Sequence, residues 1–247
     1  MSGLQMMVLT ELATALPLAI VATTTLASFR VGGMIALTIE TLRSKNAKVL
    51  AVVGSGRLAF GVVRAVQATT PFGAIRVAAR STANAERFCA TLAAEGIAAP
   101  TAVKDAQAAC EDADVIMTLT DTQAPIVQAG WCKPGSLLVS AGGGQECEEA
   151  AILTSDKIFV DDWTQCTLLG DIAALNKAGK IARSDIAGVL PDVISGKTAG
   201  RTSDNERIVA IPQGMALLDM ALSHFAYKAA LKKGLGQKVD WPLGQPQ

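Results

Sequence analysis

From residue 48 onward, apolar runs of strand length alternate with segments of helix length. The runs are VLAVVG (49–54), AIRVAAR (74–80), VIMTLT (115–120), LLVSAG (137–142) and IFVDD (158–162), with helices expected up to about residue 68 and over 83–95. Strands that are apolar on both faces belong to a covered sheet, and their alternation with helices reads as parallel strands joined by crossovers. Pro71, Gly73, Pro134 and Gly135 and the run Gly142, Gly143 and Gly144 punctuate the joints. Beyond Gly170 the pattern changes to helix and loop. A polar connection, GKTAGRTSDNER at 196–207, precedes a last helix over about 214–233. The expected fold class is α/β, a doubly wound parallel sheet of the Rossmann type.

The amino-terminal part needs a separate reading, because residues 12–29 carry no charge over eighteen positions. Pro17 and the threonines 23–25 interrupt this stretch, and Glu11 precedes it where a signal peptide would be basic. A buried strand PLAIVA (17–22) leading into a buried helix over 25–42 is expected instead of a membrane span. Half the residues are hydrophobic, which suffices for a sizeable core, and twenty-two basic residues balance twenty-two acidic ones. No net field draws the chain to nucleic acid or an anionic membrane, so the expected partner is a small molecule. Five widely spaced cysteines with no CxxC pair, and one histidine, His224, argue against a disulfide framework and a structural zinc, and point to reduced thiols and a cytoplasmic location. No metal site is expected.

The chemistry centres on residues 49–63, VLAVVGSGRLAFGVV, where a strand runs through a glycine loop into a helix. A dinucleotide loop needs a tight turn, a backbone that can touch pyrophosphate, and a helix amino end aimed at it. Gly54, Gly56 and Ala59 have that spacing, with Ser55, Arg57 and Leu58 between them as further cofactor-binding candidates. The next strand ends in Ala79-Arg80-Ser81, where an NAD-specific site would place Asp or Glu against the ribose hydroxyls. Arg80 and Ser81 suit a 2′-phosphate, so NADP(H) is favoured while NAD(H) stays open. TLTDT (118–122) and SAGGGQE (140–146) follow later strands, at the edge where doubly wound sheets hold ligands. Thr118, Thr120, Ser140 and Gly142 are therefore cofactor candidates.

These features, together with GDIAALNKAG (170–179), GKTAGRTSDNERI (196–208) and GMALLDMALSHFAYKAALKKGLG (214–236), resemble the ornithine cyclodeaminase and mu-crystallin family over about residues 9–236. The resemblance implies a Rossmann domain at 46–200, a reduced substrate and dimerisation domain at 1–45, and carboxy-terminal helices returning to it at 201–247. It also implies a homodimer and hydride transfer at a carbon bearing nitrogen and carboxylate. The family's carboxylate-gripping arginine corresponds to Arg30 in TTLASFRVGGMIAL, with Val31 where the family has threonine. Gly214 falls in the carboxy-terminal motif that adjoins the cofactor. The family's cyclodeaminases carry an aspartate in a Gly-x-Asp arrangement, and here Gly143 or Gly144 stands at that place. Glu146 is the nearest substitute as proton source. Family chains begin many residues earlier, with substrate-site Lys and Arg residues and strands of the dimerisation sheet, so a dimer or another chain is expected to cover an open edge. Three functions follow from the resemblance: an NADP(H)-dependent reductase or dehydrogenase of a cyclic imine or small α-amino acid (a ketimine reductase), an ornithine cyclodeaminase, or a non-catalytic dinucleotide-binding protein. Loss of the aspartate favours the first over the second, because cyclodeamination needs a base for amine or water. Arg201 and Asp204 are candidates for tying domains together, His224 and Asp219 for structural roles, and Cys147 is expected to be an inert thiol with a raised pKa.

Overall fold

Residues 6–22, mostly apolar and carrying one charge, form a hairpin: β1 (Met6–Thr10) pairs antiparallel with β2 (Pro17–Ala22), Met6 opposite Ala22 and Leu9 opposite Ala19. This computed structural model describes residues 5–97 and 100–239. Alternation sends Met6 and Val8 to the same face as Ile20, and all three, with Leu18, are exposed. PLAIVA is thus a strand, but not the buried one expected, because the described chain packs only one side of it. The uncharged stretch 12–29 is divided between β2 and the start of α1 (Thr24–Leu42), and no described helix is long and apolar enough to cross a membrane.

The remaining elements follow the alternating pattern. In order they are β3 (Val49–Val53), α2 (Arg57–Thr69), β4 (Ala74–Ala78), α3 (Thr82–Ala94), β5 (Pro100–Ala102), α4 (Ala106–Cys110), β6 (Val115–Thr118), β7 (Leu137–Ser140), α5 (Glu149–Leu153) and β8 (Lys157–Val160). Then come α6 (Trp163–Cys166), α7 (Gly170–Lys177), β9 (Gly188–Val189), α8 (Leu190–Ile194), β10 (Ile208–Ile211) and α9 (Ala216–Lys232). Eight strands make one parallel sheet in the order β5-β4-β3-β6-β7-β10-β8-β9. The order reverses between β3 and β6, the switch point at which such sheets open a crevice. β10 was not expected. Its four residues lie behind a polar loop in a region read as helix and loop, yet they pair with β7 and β8 in the middle of the sheet.

The strands are apolar on both faces because each face has its own core. Leu50 and Val52 point into one, built with Ile35 of α1, Val62 of α2, Phe88 of α3 and Leu190 of α8. Ala51 and Val53 point into the other, with Ala109, Ile152, Ile172 and Leu175. The helices α1 and α2 cross at glycines: a Cβ on Gly32 would lie 2.7 Å from the Gly61 carbonyl oxygen.

The chain divides into two compact units, Ser28–Met215 and Met1–Ala27 with Ala216–Gln247. The sheet unit therefore takes in residues 28–45, through the crossing of α1 and α2, and residues 201–215, through β10, which the expected boundaries at 45/46 and 200/201 left outside it. In the other unit α9 exposes Leu217, Met220 and Phe225.

Candidate functional site

Register aligns the carboxyl ends of four strands: Val53 lies opposite both Ala78 and Thr118, and Thr118 lies opposite Ser140. The loops that leave this row carry most of the expected site residues. Gly54 takes φ +118°, a left-handed value open to glycine, and donates its N–H to the Ala78 carbonyl at 2.9 Å. A Cβ there would sit 2.5 Å from the Leu119 carbonyl oxygen, so the β3 and β6 loops meet without a side chain between them. Gly56 is the extended N-cap of α2 and supplies no capping side chain. The amino end of α2 thus keeps backbone N–H groups and a positive dipole end for an anion. Gly56, Arg57 and Leu58 are exposed, Ser55 is half-buried, and Ala59 is buried against the sheet. A Cβ on Gly56 would meet nothing within 4 Å, so the cradle is open. This arrangement fits a pyrophosphate.

At the end of β4, Arg80 is exposed and Ser81 caps α3, its Oγ accepting from the Asn84 N–H at 3.3 Å. No carboxylate lies at 79–82. A capping serine accepts with its lone pair and can still donate its hydroxyl proton, so Arg80 and Ser81 together present donors at the edge beside the glycine loop.

The β6 and β7 loops are built differently from the expectation. Glu146 is fully buried. Its Oε1 accepts from the Thr120 N–H and the Thr120 hydroxyl, both at 2.6 Å, and its Oε2 from the Thr118 hydroxyl at 2.6 Å and the Gly142 N–H at 2.7 Å, with Ser140 Oγ at 3.3 Å. A carboxylate so enclosed is an internal acceptor that binds two loops together, which corrects the expectation of a proton source. Thr118, Thr120 and Ser140 are corrected with it. Their hydroxyls serve carboxylates inside the protein, and Thr118 and Ser140 are fully buried. Gly142 keeps its place in the loop because a Cβ would clash with the Thr120 carbonyl oxygen. At the position of the family aspartate the two candidates differ. A Cβ on Gly144 would run into the Thr122 carbonyl oxygen, whereas one on exposed Gly143 would find Leu169 Cδ1 at 3.8 Å.

Three residues missed in the sequence complete this edge. Asp171, 3% exposed in the first turn of α7, accepts from Ser140 Oγ at 2.7 Å and the Cys147 N–H at 3.3 Å. Burial pushes its carboxyl above the ordinary carboxylate range, and the Glu146 charge adds to this. Asp161, after β8, accepts from the N–H groups of Asp162 at 3.0 Å and Gln213 at 3.1 Å, and from that of Gly214. Gln213 in turn donates Nε2–H to the Gly142 carbonyl at 3.2 Å, linking the loops after β10 and β7. Gly214 takes φ +81°, and a Cβ on it would clash with the Arg30 guanidinium. Arg30 lies inside α1, well past its first turn, half-buried, with its guanidinium against the loop that follows β10. Only the GD dipeptide of 170–179 hinted at Asp171, and a carboxylate in a first helical turn ordinarily reads as solvated.

The motif GRTSD lies elsewhere. Arg201 donates to the carbonyls of Leu42 at 2.8 Å, Glu206 at 2.6 Å, Ser136 at 3.2 Å and Ser203 at 3.3 Å. Leu42 ends α1 and Ser136 precedes β7, so the hub joins elements at the amino end of the sheet. Ser44 adds a bond to Asp204 at 2.9 Å. His224 is exposed on α9. The Cys147 thiol is raised well above its ordinary range by burial and by Asp171 and Glu146. All five cysteines are free.

The model of the ornithine cyclodeaminase/mu-crystallin family matches residues 2–234. A Delta(1)-pyrroline-2-carboxylate reductase of Bacillus cereus is 29% identical over 241 residues, covering 94% of this chain and 73% of the relative. The Thermococcus litoralis Delta(1)-pyrroline-2-carboxylate reductase, solved with NADH and L-proline, superposes with a TM-score of 0.89 at 26% identity, over 94% of this chain and 73% of that one. An archaeal alanine dehydrogenase dimer with bound NAD gives 0.89 at 28% identity, over 96% and 74%.

Proposed function

We propose that this chain, which belongs to the ornithine cyclodeaminase/mu-crystallin family, is an NAD(P)-dependent oxidoreductase that reduces a cyclic imine or interconverts a small α-amino acid and its imine. The observation that carries this reading is the single edge shared by an open glycine cradle at the amino end of α2 and by the Arg30 guanidinium. When bound, the nicotinamide supplies or takes up the hydride. The chain's own residues do the rest. Backbone N–H groups of 56–58 hold the pyrophosphate, and Gly54 lets the β3 loop pass close beneath it. Arg30 grips the substrate carboxylate by charge-assisted hydrogen bonds and so orients the α-carbon. Reduction adds a hydride to the imine carbon and a proton to its nitrogen. Neither Glu146 nor a residue at 144 donates that proton, because Glu146 is sealed and position 144 has no room for a carboxylate. The proton comes from water.

The same crowding at Gly144 counts against cyclodeamination, which needs a base at amine or water. A cofactor-binding role without turnover is the second reading, favoured by the sealing of Glu146 and the crowding at Gly144. Arg80 and Ser81 support NADP(H) over NAD(H). The exposed apolar face of β1 and β2 supports a homodimer, and the free cysteines are in keeping with a cytoplasmic protein.

Steady-state oxidation of NADPH and NADH with pyrroline-2-carboxylate tests the cofactor assignment. The expected result is a lower KM for NADPH, reversed in Arg80→Asp; an unchanged preference in that variant would remove Arg80 from the 2′-phosphate. Ammonia release from ornithine would restore the cyclodeaminase reading.

A further inference from the structure

Two buried carboxylates meet at one hydroxyl. Ser140 Oγ stands 2.7 Å from Asp171 Oδ2 and 3.3 Å from Glu146 Oε2. A serine hydroxyl has one proton to give, so it cannot satisfy two ionised carboxylates at once. The surroundings decide which of them is ionised. Glu146 already accepts from two backbone N–H groups and two threonine hydroxyls, so its oxygens are filled by donors that cannot turn to Asp171. Asp171 has weaker support: beside Ser140 it takes the long bond from the Cys147 N–H and a bond from the Cys147 thiol, a poor donor. The amino end of α7 favours its anion, but burial and the neighbouring Glu146 oppose it and prevail. The satisfied arrangement is a chain in which Asp171 O–H donates to Ser140 Oγ and Ser140 O–H donates to Glu146.

We propose that Asp171 and Glu146 share one proton through Ser140 and act as a positioning pair for the dinucleotide cleft, the proton holding the loop after β7 in its cleft-lining form. The proposal rests on the cleft reading above. Asp171 fixes Ser140 and Cys147, at the two ends of the loop 141–146, while Glu146 fixes Gly142 in its middle and Thr118 and Thr120 on the next loop. Loss of the proton leaves two negative groups across one hydroxyl and loosens these attachments. The ionisable groups acting on Asp171 are Glu146 and Cys147, both from the loop after β7. From α6, Cys166 turns to Asp161 instead.

The sign follows from linkage. Asp171 binds its proton more tightly in the folded chain than in the unfolded one. Its contribution to stability is complete below the ordinary carboxylate range and is lost as pH rises through the folded value. Asp171→Asn keeps a donor toward Ser140 and cannot ionise. The test compares Tm from pH 5 to pH 9, and dinucleotide affinity by NADPH fluorescence titration, in wild type and D171N. The expected result is a wild-type Tm that falls relative to D171N as pH rises, with a wild-type Kd that weakens by at most about tenfold per pH unit, the limit for one linked proton, while D171N stays flat. Parallel Tm profiles overturn the shared proton. A separating Tm profile with a Kd independent of pH overturns the positioning role. If no dinucleotide binds at any pH, the cleft reading fails, and the Tm comparison still judges the proton. Should D171N not fold, infrared pH-difference spectra of the wild type replace it: the carbonyl stretch of a buried carboxyl must be lost only above the ordinary carboxylate range, and its loss within that range overturns the proposal.

Discussion

Glu146 and Arg201 use the same device at opposite ends of one parallel sheet. Each is a charged side chain drawn inside to gather several loops: Glu146 takes donors from the β6 and β7 loops at the carboxyl edge, and Arg201 gives donors to four carbonyls at the amino edge. Their surroundings set different tasks. The loops held by Glu146 are those that border the glycine cradle, so disturbing them reaches the ligand; those held by Arg201 join α1, the start of β7 and the loop before β10, and have only the fold to support. A charged residue inside a motif therefore marks a functional edge only when the loops it ties face a ligand.

The largest expected effect comes from Glu146→Ala, which leaves two hydroxyls and two N–H groups buried without their acceptor. A loss of about 3–5 kcal/mol in urea unfolding is expected, together with loss of dinucleotide binding at any protein concentration that remains folded. Glu146→Gln should recover part of both. Arg201→Ala comes next, at roughly 2–3 kcal/mol, with the NADPH Kd of the folded protein unchanged. A weakened Kd in that variant would erase the contrast between the two hubs.

Smaller still, Gly144→Ala should cost about 1–3 kcal/mol, because the new Cβ forces the Thr122 carbonyl aside, while Gly143→Ala stays within about 0.5 kcal/mol by the same assay. An acid installed at 143 is the one that the loop accepts.

The pH responses of the two edges have opposite signs. At the amino edge, burial works against the Glu206 charge, but Lys157 and Thr202 prevail and bring its pKa down to about 2. Its stabilisation is present above the ordinary carboxylate range and is lost as pH falls toward that value, the reverse of Asp171. Thermal unfolding of Glu206→Gln against wild type between pH 2 and pH 7 should converge at the acid end. Divergence there would break the comparison.

The sheet was legible where an apolar run of strand length alternates with a helix-length segment, as at β3, β4, β6, β7 and β8. β10, as long as β6, β7 and β8, escaped because it follows the polar connection and not a helix-length segment; β5 and β9 are shorter, with three and two residues. The glycine cradle was legible because the turn, the close approach to Leu119 and the uncapped helix each demand a residue type. The roles of Thr118, Thr120, Ser140 and Glu146 were not. Threonine and serine at strand ends suit a ribose as well as they suit an internal carboxylate, and only burial separates the two. Asp161 and Asp171 were hidden for the same reason: nothing in IFVDD or GDIAALNKAG tells a sealed carboxylate from a solvated one.

The central claim is hydride transfer at a carbon oriented by Arg30. Single turnover with pyrroline-2-carboxylate and NADPH deuterated at nicotinamide C4 addresses it directly, with the product analysed for label at its α-carbon. The account predicts one deuteron at that carbon in the wild type, and in Arg30→Ala a rate lower by about two orders of magnitude or more at unaltered NADPH affinity. Tight NADPH binding with no label transferred, or transfer at the same rate in Arg30→Ala, would contradict it.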